Sequence, residues 1–304
     1  MLKYFTFWFA FRVLGRLPLP LLYGIAEIVG RVGYVLAPGP RRNVWDNLRH
    51  VIPDAPKSRL RQTAKAVFRN VGYYYADLAQ LSRMDVDQFF RERLIYTGIE
   101  EYIRSNIDRG RGVVMLSAHI GNAEMAGQAL VPLHIPCFAV TEPVKPPRLS
   151  SMLNSIRRTH GVEFMPVGVP SAKRIVRTLR DGGTVALMGD RDIYGPKMLL
   201  PFFGEETWMP TGPIEVALRT GAAIVPSFSS RRGRYVIEAV AQAPIEVERT
   251  DDLQADVRTA MLEFISRLEA QLRAEPDQWM VLERIWDAEA HEPQPAKEPE
   301  EATV

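Results

Sequence analysis

The spacing of apolar residues changes character near residue 93. Before that point they recur every three or four positions. The clearest case is 57–81, where Leu60, Ala64, Val67, Phe68, Val71, Tyr75 and Leu78 form one stripe of a long helix. A shorter amphipathic helix is predicted at 41–50, between the Pro38-Gly39-Pro40 break and Pro53. Beyond 93, short Val/Ile/Leu/Met runs alternate with helical segments. They predict strands at 93–97, 112–117, 135–140, 162–166, 183–188, 222–228 and 234–239. Helices are predicted at 99–109, 122–131, 147–159, 171–181, 212–220 and 252–274, with a long loop over 189–211. This alternation predicts an α/β fold, with a mixed, mostly parallel central sheet flanked by helices.

The N-terminus is apolar in a different way. Residues 4–14 crowd Phe5, Phe7, Trp8, Phe9 and Phe11 around all sides of a helix, with Lys3, Arg12 and Arg16 beside them. A second helix over 17–37 is long enough to span a bilayer but carries Glu27 and Arg31. Both read as helices lying on or dipping into a membrane, with docking on the protein's own core as the alternative. The expected organisation is membrane-interacting helices at 1–40, an α/β domain at 41–287, and a disordered acidic, proline-rich tail at 288–304.

Composition narrows the chemistry. The 304 residues carry 38 basic and 36 acidic side chains, a net +2, which argues against a nucleic-acid protein driven by overall charge. Cys137 is the single cysteine, so an intrachain disulfide is excluded, and the five histidines have no zinc spacing. No bound cofactor is called for.

The candidate chemistry lies in 112–130, GVVMLSAHIGNAEMAGQAL. His119 falls just beyond a strand's carboxyl end, where α/β sheets gather ligands. On an unbroken helix His119 and Glu124 would not meet. A bend at Gly121 and a cap at Asn122 would let Glu124 fold back toward the imidazole. Such a pair can take a proton from a hydroxyl that attacks a carbonyl carbon, and no GxSxG nucleophile motif is present. A helix-capping Glu124 beside an ordinary buried His119 is the plainer alternative.

The motif His119-Ile-Gly-Asn-Ala-Glu124 has the form histidine, four residues, acid. Further blocks follow in order: GDRDIYG at 189–195, PFFG at 201–204, TGAAIVP at 220–226 and PDQWMVLERIW at 276–286. Together they resemble the lysophospholipid acyltransferase superfamily, in its branch of lipid A lauroyl/myristoyl and phosphatidylinositol mannoside acyltransferases. The aromatic usual before the acid is Ala123 here. The resemblance implies a membrane-associated O-acyltransferase at the cytoplasmic face of a bacterial inner membrane. It implies His119 as general base oriented by Glu124, acyl-CoA or acyl carrier protein as thioester donor, and a glycolipid or phospholipid acceptor. It also implies roles in binding for Glu142 and Arg157.

Read from chemistry, Arg157 with Arg158 suits a phosphate, against a solvated basic face as the alternative. Asp190, Arg191 and Asp192, past strand 183–188, suit a polar ligand or a loop salt bridge. Phe202, Phe203, Trp208 and Met209 would border an acyl channel or pack their loop. An acyl-thioester hydrolase and a non-enzymatic lipid-binding protein remain the competing functions.

Overall fold

The computed structural model describes residues 2–191 and 195–287. The first third is helical: α1 (Leu2–Val13), α2 (Leu19–Leu36), α3 (Pro38–Val51), α4 (Lys57–Leu81) and α5 (Val86–Arg93). Then come β1 (Leu94–Thr97), a π-helical turn Ile99–Arg104 running into α6 (Ser105–Asp108), β2 (Val113–Ser117), α7 (Ala123–Gly127) and β3 (Cys137–Thr141). They are followed by α8 (Pro147–Arg157), β4 (Glu163–Pro166), α9 (Val169–Arg180) and β5 (Thr184–Met188). The hairpin β6 (Lys197–Phe202) and β7 (Glu205–Pro210) precedes α10 (Gly212–Thr220), β8 (Ala223–Arg232), β9 (Val236–Ala241) and α11 (Leu253–Ala274).

Seven strands form one sheet in the order β1-β9-β8-β2-β5-β3-β4, parallel except for the β8–β9 pair. The expected α/β architecture is therefore present. Two expectations need correction. The 189–211 loop contains the β6–β7 hairpin, whose Phe202 and Met209 are wholly buried. The 122–131 helix shortens to α7 and a 3₁₀ turn, Gln128–Leu130. Helix α5 was unmarked in the pattern because only Phe89 of its residues is buried.

The two faces of the sheet differ in side-chain size. One carries Val114, Leu116, Phe138, Val185 and Ile224, packed tightly on Met261, Phe264 and Leu268 of α11. The other carries Ser117, Cys137, Ala139, Ala186, Ser227 and Ala239 beneath α7 and the π-helical turn. Small side chains cannot fill the gap to the helices above them. A slot of about 920 Å³, open mouth included, runs along this face, lined also by Ile99, Ile103, Leu130 and Phe164.

Helix α2 is long and apolar enough to cross a membrane by length and composition. Yet one of its faces is committed: Leu22, Tyr23, Ala26 and Gly30 are buried. A β-carbon at Gly30 would strike the Phe68 carbonyl, and one at Gly72 the Ala26 carbonyl, so the α2 and α4 backbones touch through paired glycines. Leu21, Ile28, Val29, Val32, Val35 and Leu36 are exposed and make an apolar surface, with the exposed Arg31 paired to Glu27 on the same helix. Phe5, Trp8 and Phe9 of α1 are exposed too, while Phe7 and Phe11 turn inward against the core. Docking on the core and an outward greasy face thus coexist in the same helices.

Candidate active site

Parallel pairing aligns the ends of neighbouring strands. Ser117 of β2 stands opposite Met188 of β5, and two residues further along each chain are His119 and Asp190. The Asp190 carboxylate accepts from both the ring and the backbone of this histidine. His119 Nδ1 lies 2.9 Å from Asp190 Oδ1, and His119 N–H donates to Oδ2 at 3.0 Å. Trp279 Nε1 donates to the same Oδ2 at 2.9 Å. Asp190 is completely enclosed while the imidazole keeps 34% of its surface exposed. With Nδ1–H committed to the carboxylate, Nε2 is the nitrogen left to accept a proton.

Burial disfavours charge on His119, but the adjacent Asp190 overrides it and holds the imidazole pKa above the usual value. Burial pushes the Asp190 carboxyl up, and its bonds to His119 and Trp279 bring it net below the ordinary carboxylate range.

The loop between them depends on Gly121, whose φ is +60° and whose hydrogen faces the Ser229 carbonyl, where any side chain would collide. Asn122 caps α7 by accepting from Met125 N–H at 3.1 Å. Its amide donates to Asp77 Oδ2 at 2.8 Å, and Asp77 is held by Arg231 and by the hydroxyl of Tyr23. The expected bend and cap are both present.

Glu124 does not go where the spacing suggested. It accepts from the Tyr74 hydroxyl at 2.6 Å and pairs with Arg157 at 2.7 Å, a partly buried group linking α4, α7 and α8. The bond that orients His119 comes from Asp190. The physical reason is competition: the guanidinium and hydroxyl satisfy Glu124 from the helix side, and Asp190 occupies Nδ1 from the strand side. Glu124 lines the slot, and its Oε2 and Arg157 Nε are buried without a hydrogen-bond partner among the described residues.

Arg191 is clamped between two acids, donating to Glu142 at 2.8 Å and to Glu283 at 2.9 Å. Arg158 is not brought to this group; its Nε donates to the Phe164 carbonyl at 2.8 Å. Asp192 lies outside the described residues. Phe202, Phe203, Trp208 and Met209 do not line the slot. Phe202 stacks on Trp286 and Met209 is buried, both on the sheet's other, tightly packed face, so hairpin packing claims them. Phe203 and Trp208 are only partly buried. Sequence reasoning missed Trp279 and Tyr74 as partners of the site. It also assigned Asp190 to ligand binding, although equal two-residue offsets from paired strand ends would have flagged it.

A histidine backed by a buried carboxylate at the strand ends of an α/β sheet that also carries an apolar slot is suited to moving a proton, and the family comparison gives the class: an acyltransferase. The sequence pattern of the bacterial lipid A biosynthesis acyltransferases matches residues 1–288, and the chain belongs to that family. It is 28% identical over 262 residues to a phosphatidylinositol mannoside acyltransferase of Mycobacterium tuberculosis, covering 85% of this chain and 81% of that one. Against the phosphatidylinositol mannoside acyltransferase of Mycolicibacterium smegmatis the identity is 27% over 281 residues, covering 91% and 89%.

Proposed function

We propose that the protein transfers a fatty acyl group from an acyl thioester, of coenzyme A or an acyl carrier protein, to a hydroxyl of a glycolipid at the cytoplasmic face of the membrane. The observation that carries this reading is the His119–Asp190 pair two residues past the slot-lining Ser117. His119 Nε2 takes the proton of the acceptor hydroxyl as its oxygen attacks the thioester carbonyl. The tetrahedral intermediate then expels the thiolate, which leaves with that proton. Asp190 keeps Nδ1 protonated and steadies the imidazolium between the two steps.

The acyl chain lies in the slot. At about 0.8 kcal/mol per buried CH₂, ten methylenes supply on the order of 8 kcal/mol before ordering costs. That binding turns the reaction into one between held partners. Glu124 Oε2 and Arg157 Nε, buried and unmatched, are suited to polar atoms of the substrates near the slot wall. Arg191, between Glu142 and Glu283, would exchange a carboxylate for an acceptor phosphate. A mannosylated phosphatidylinositol is the favoured acceptor, because the relatives named above act on phosphatidylinositol mannosides. The exposed apolar faces of α1 and α2 would rest in the bilayer surface and bring the slot to a lipid-bound acceptor.

The test is acyl transfer with purified protein, radiolabelled palmitoyl-coenzyme A and separated lipid acceptors. His119→Ala should lower kcat by about 10²-fold or more while the melting temperature is kept. Near-normal turnover by a folded H119A protein would end the proposal. Donor consumption that ignores every added lipid would favour thioester hydrolysis instead.

A further inference from the structure

We infer that Trp279 is a positioning residue of the reaction, acting through Asp190 on the imidazole from a C-terminal strap that closes over the site. The inference rests on the general-base reading above. The strap reaches the catalytic loop from far along the sequence and binds it on three levels. Trp279 Nε1 donates to Asp190 Oδ2. Met280 N–H donates to the His119 carbonyl at 2.8 Å, and Gly121 N–H donates to the Gln278 carbonyl at 2.9 Å. Both sides of the His119 turn are thus hydrogen-bonded to the strap, at Gln278 and Met280 on either side of Trp279.

The strap is itself fixed. The Gln278 side chain accepts from Arg231 N–H and donates to Arg231 C=O, at 3.0 and 2.9 Å, as a backbone strand would. Its far end is held by Asn47, which donates to the Glu283 carbonyl at 2.8 Å and accepts from Ile285 N–H at 3.1 Å.

The chemical need is specific. A fully enclosed carboxylate that must back a histidine has more than one lone pair to satisfy on each oxygen; on Oδ2 the His119 N–H takes one and the Trp279 indole the other, and losing the second would loosen the group or draw in water. The indole N–H is a donor only, carried on a rigid, 3% exposed ring, so it fixes Asp190 without offering a competing proton acceptor. Packing alone would not require that nitrogen. Trp286 is the built-in comparison: it sits against Trp279 with ring centroids 6.2 Å apart, and its own N–H goes to the Phe202 carbonyl.

The experiment compares W279F with W286F in the full-length protein. As a second variant, residue 279 is replaced by benzothienylalanine, which puts sulfur in place of the N–H within the same ring outline. This keeps the question answerable if the phenylalanine variant does not fold. The charged groups acting on His119 are Asp190, Arg191 and Glu142, and none is altered.

Loss of one hydrogen bond to a buried charge should lower kcat about tenfold to a hundredfold at little change in KM. A carboxylate relieved of that donor attracts the imidazolium more strongly, so the acidic limb of kcat/KM should move to higher pH. W286F should leave the limb in place. Position-279 variants with an unmoved limb and near-normal kcat would overturn the inference. Retained turnover in H119A would instead overturn the reading beneath it, so the two failures are distinguishable.

Discussion

At the scale of single residues, the site turns on which acid faces the imidazole. Asp190 and Glu124 are both carboxylates near His119 in the chain or the fold, but only Asp190 meets Nδ1. Glu124 is held by Tyr74 and Arg157, and burial together with the nearby Glu124 keeps the Tyr74 hydroxyl protonated far above its ordinary range. In Asp190→Asn the buried negative charge disappears while a side-chain oxygen of similar shape stays. The imidazolium then loses its main support, so the His119 pKa falls and the acidic limb of kcat/KM should shift to lower pH, opposite in sign to the Trp279 variants. Turnover should drop by about 10²-fold or more even above that limb, because the amide no longer stabilises the charged ring. A pH–rate profile checks both. An unshifted limb would remove Asp190 from the mechanism.

At the scale of elements, the chain's alternation made the sheet legible but concealed the slot. Runs such as Val113–Leu116 announce a buried strand, whereas the cavity comes from which faces of five strands carry Ala, Ser and Cys. That pattern has meaning only once pairing places Ala139 beside Ala186 and Ala186 beside Met115. Cys137 belongs to the same lining; burial pushes its thiol up to about 12, so it serves as a small apolar wall and not as a nucleophile. Ala186, central in the slot, offers a direct test. Ala186→Phe should cut turnover of palmitoyl thioesters at least tenfold more than that of octanoyl thioesters, measured side by side. Equal losses would mean that the acyl chain lies elsewhere.

The N-terminal helices make the same point from the other side. Hydropathy alone reads α2 as a possible span; its close contact with α4 through Gly30 and Gly72 shows why one face stays with the protein. Ile28 and Val32 are 60% and 48% exposed on the opposite face. Ile28→Asp with Val32→Asp should leave the melting temperature nearly unchanged while weakening binding to anionic vesicles about tenfold or more, as cosedimentation would show. Unchanged partitioning would locate the membrane contact on another surface.

At the scale of the whole molecule, the site is assembled from distant parts. His119 comes from the end of β2, Asp190 from the end of β5, Arg157 from α8, Tyr74 from α4 and Trp279 from beyond α11. The motif around His119 could be read directly, since a strand, a bend and a cap are local signals. The Asp190 bond required the register of a parallel pair, and the Trp279 bond required knowing that the last segment returns across the sheet. Neither leaves a periodic trace. The Phe202–Phe203 block misled for a related reason: aromatic density marks burial, and the hairpin's partners Trp279 and Trp286 lie more than seventy residues later.

The return of the strap also separates the parts of the site by their order along the chain. A nascent chain that has emerged only as far as α11 already contains His119, Asp190 and every strand of the sheet. It still lacks the groups that meet the His119 carbonyl and the Gly121 amide, and the indole that joins the His119 N–H on Asp190 Oδ2. The turn that carries His119 is therefore held by residues that follow every strand of the sheet in the chain, so a chain cut before residue 278 would keep the whole sheet and lose all three of these bonds.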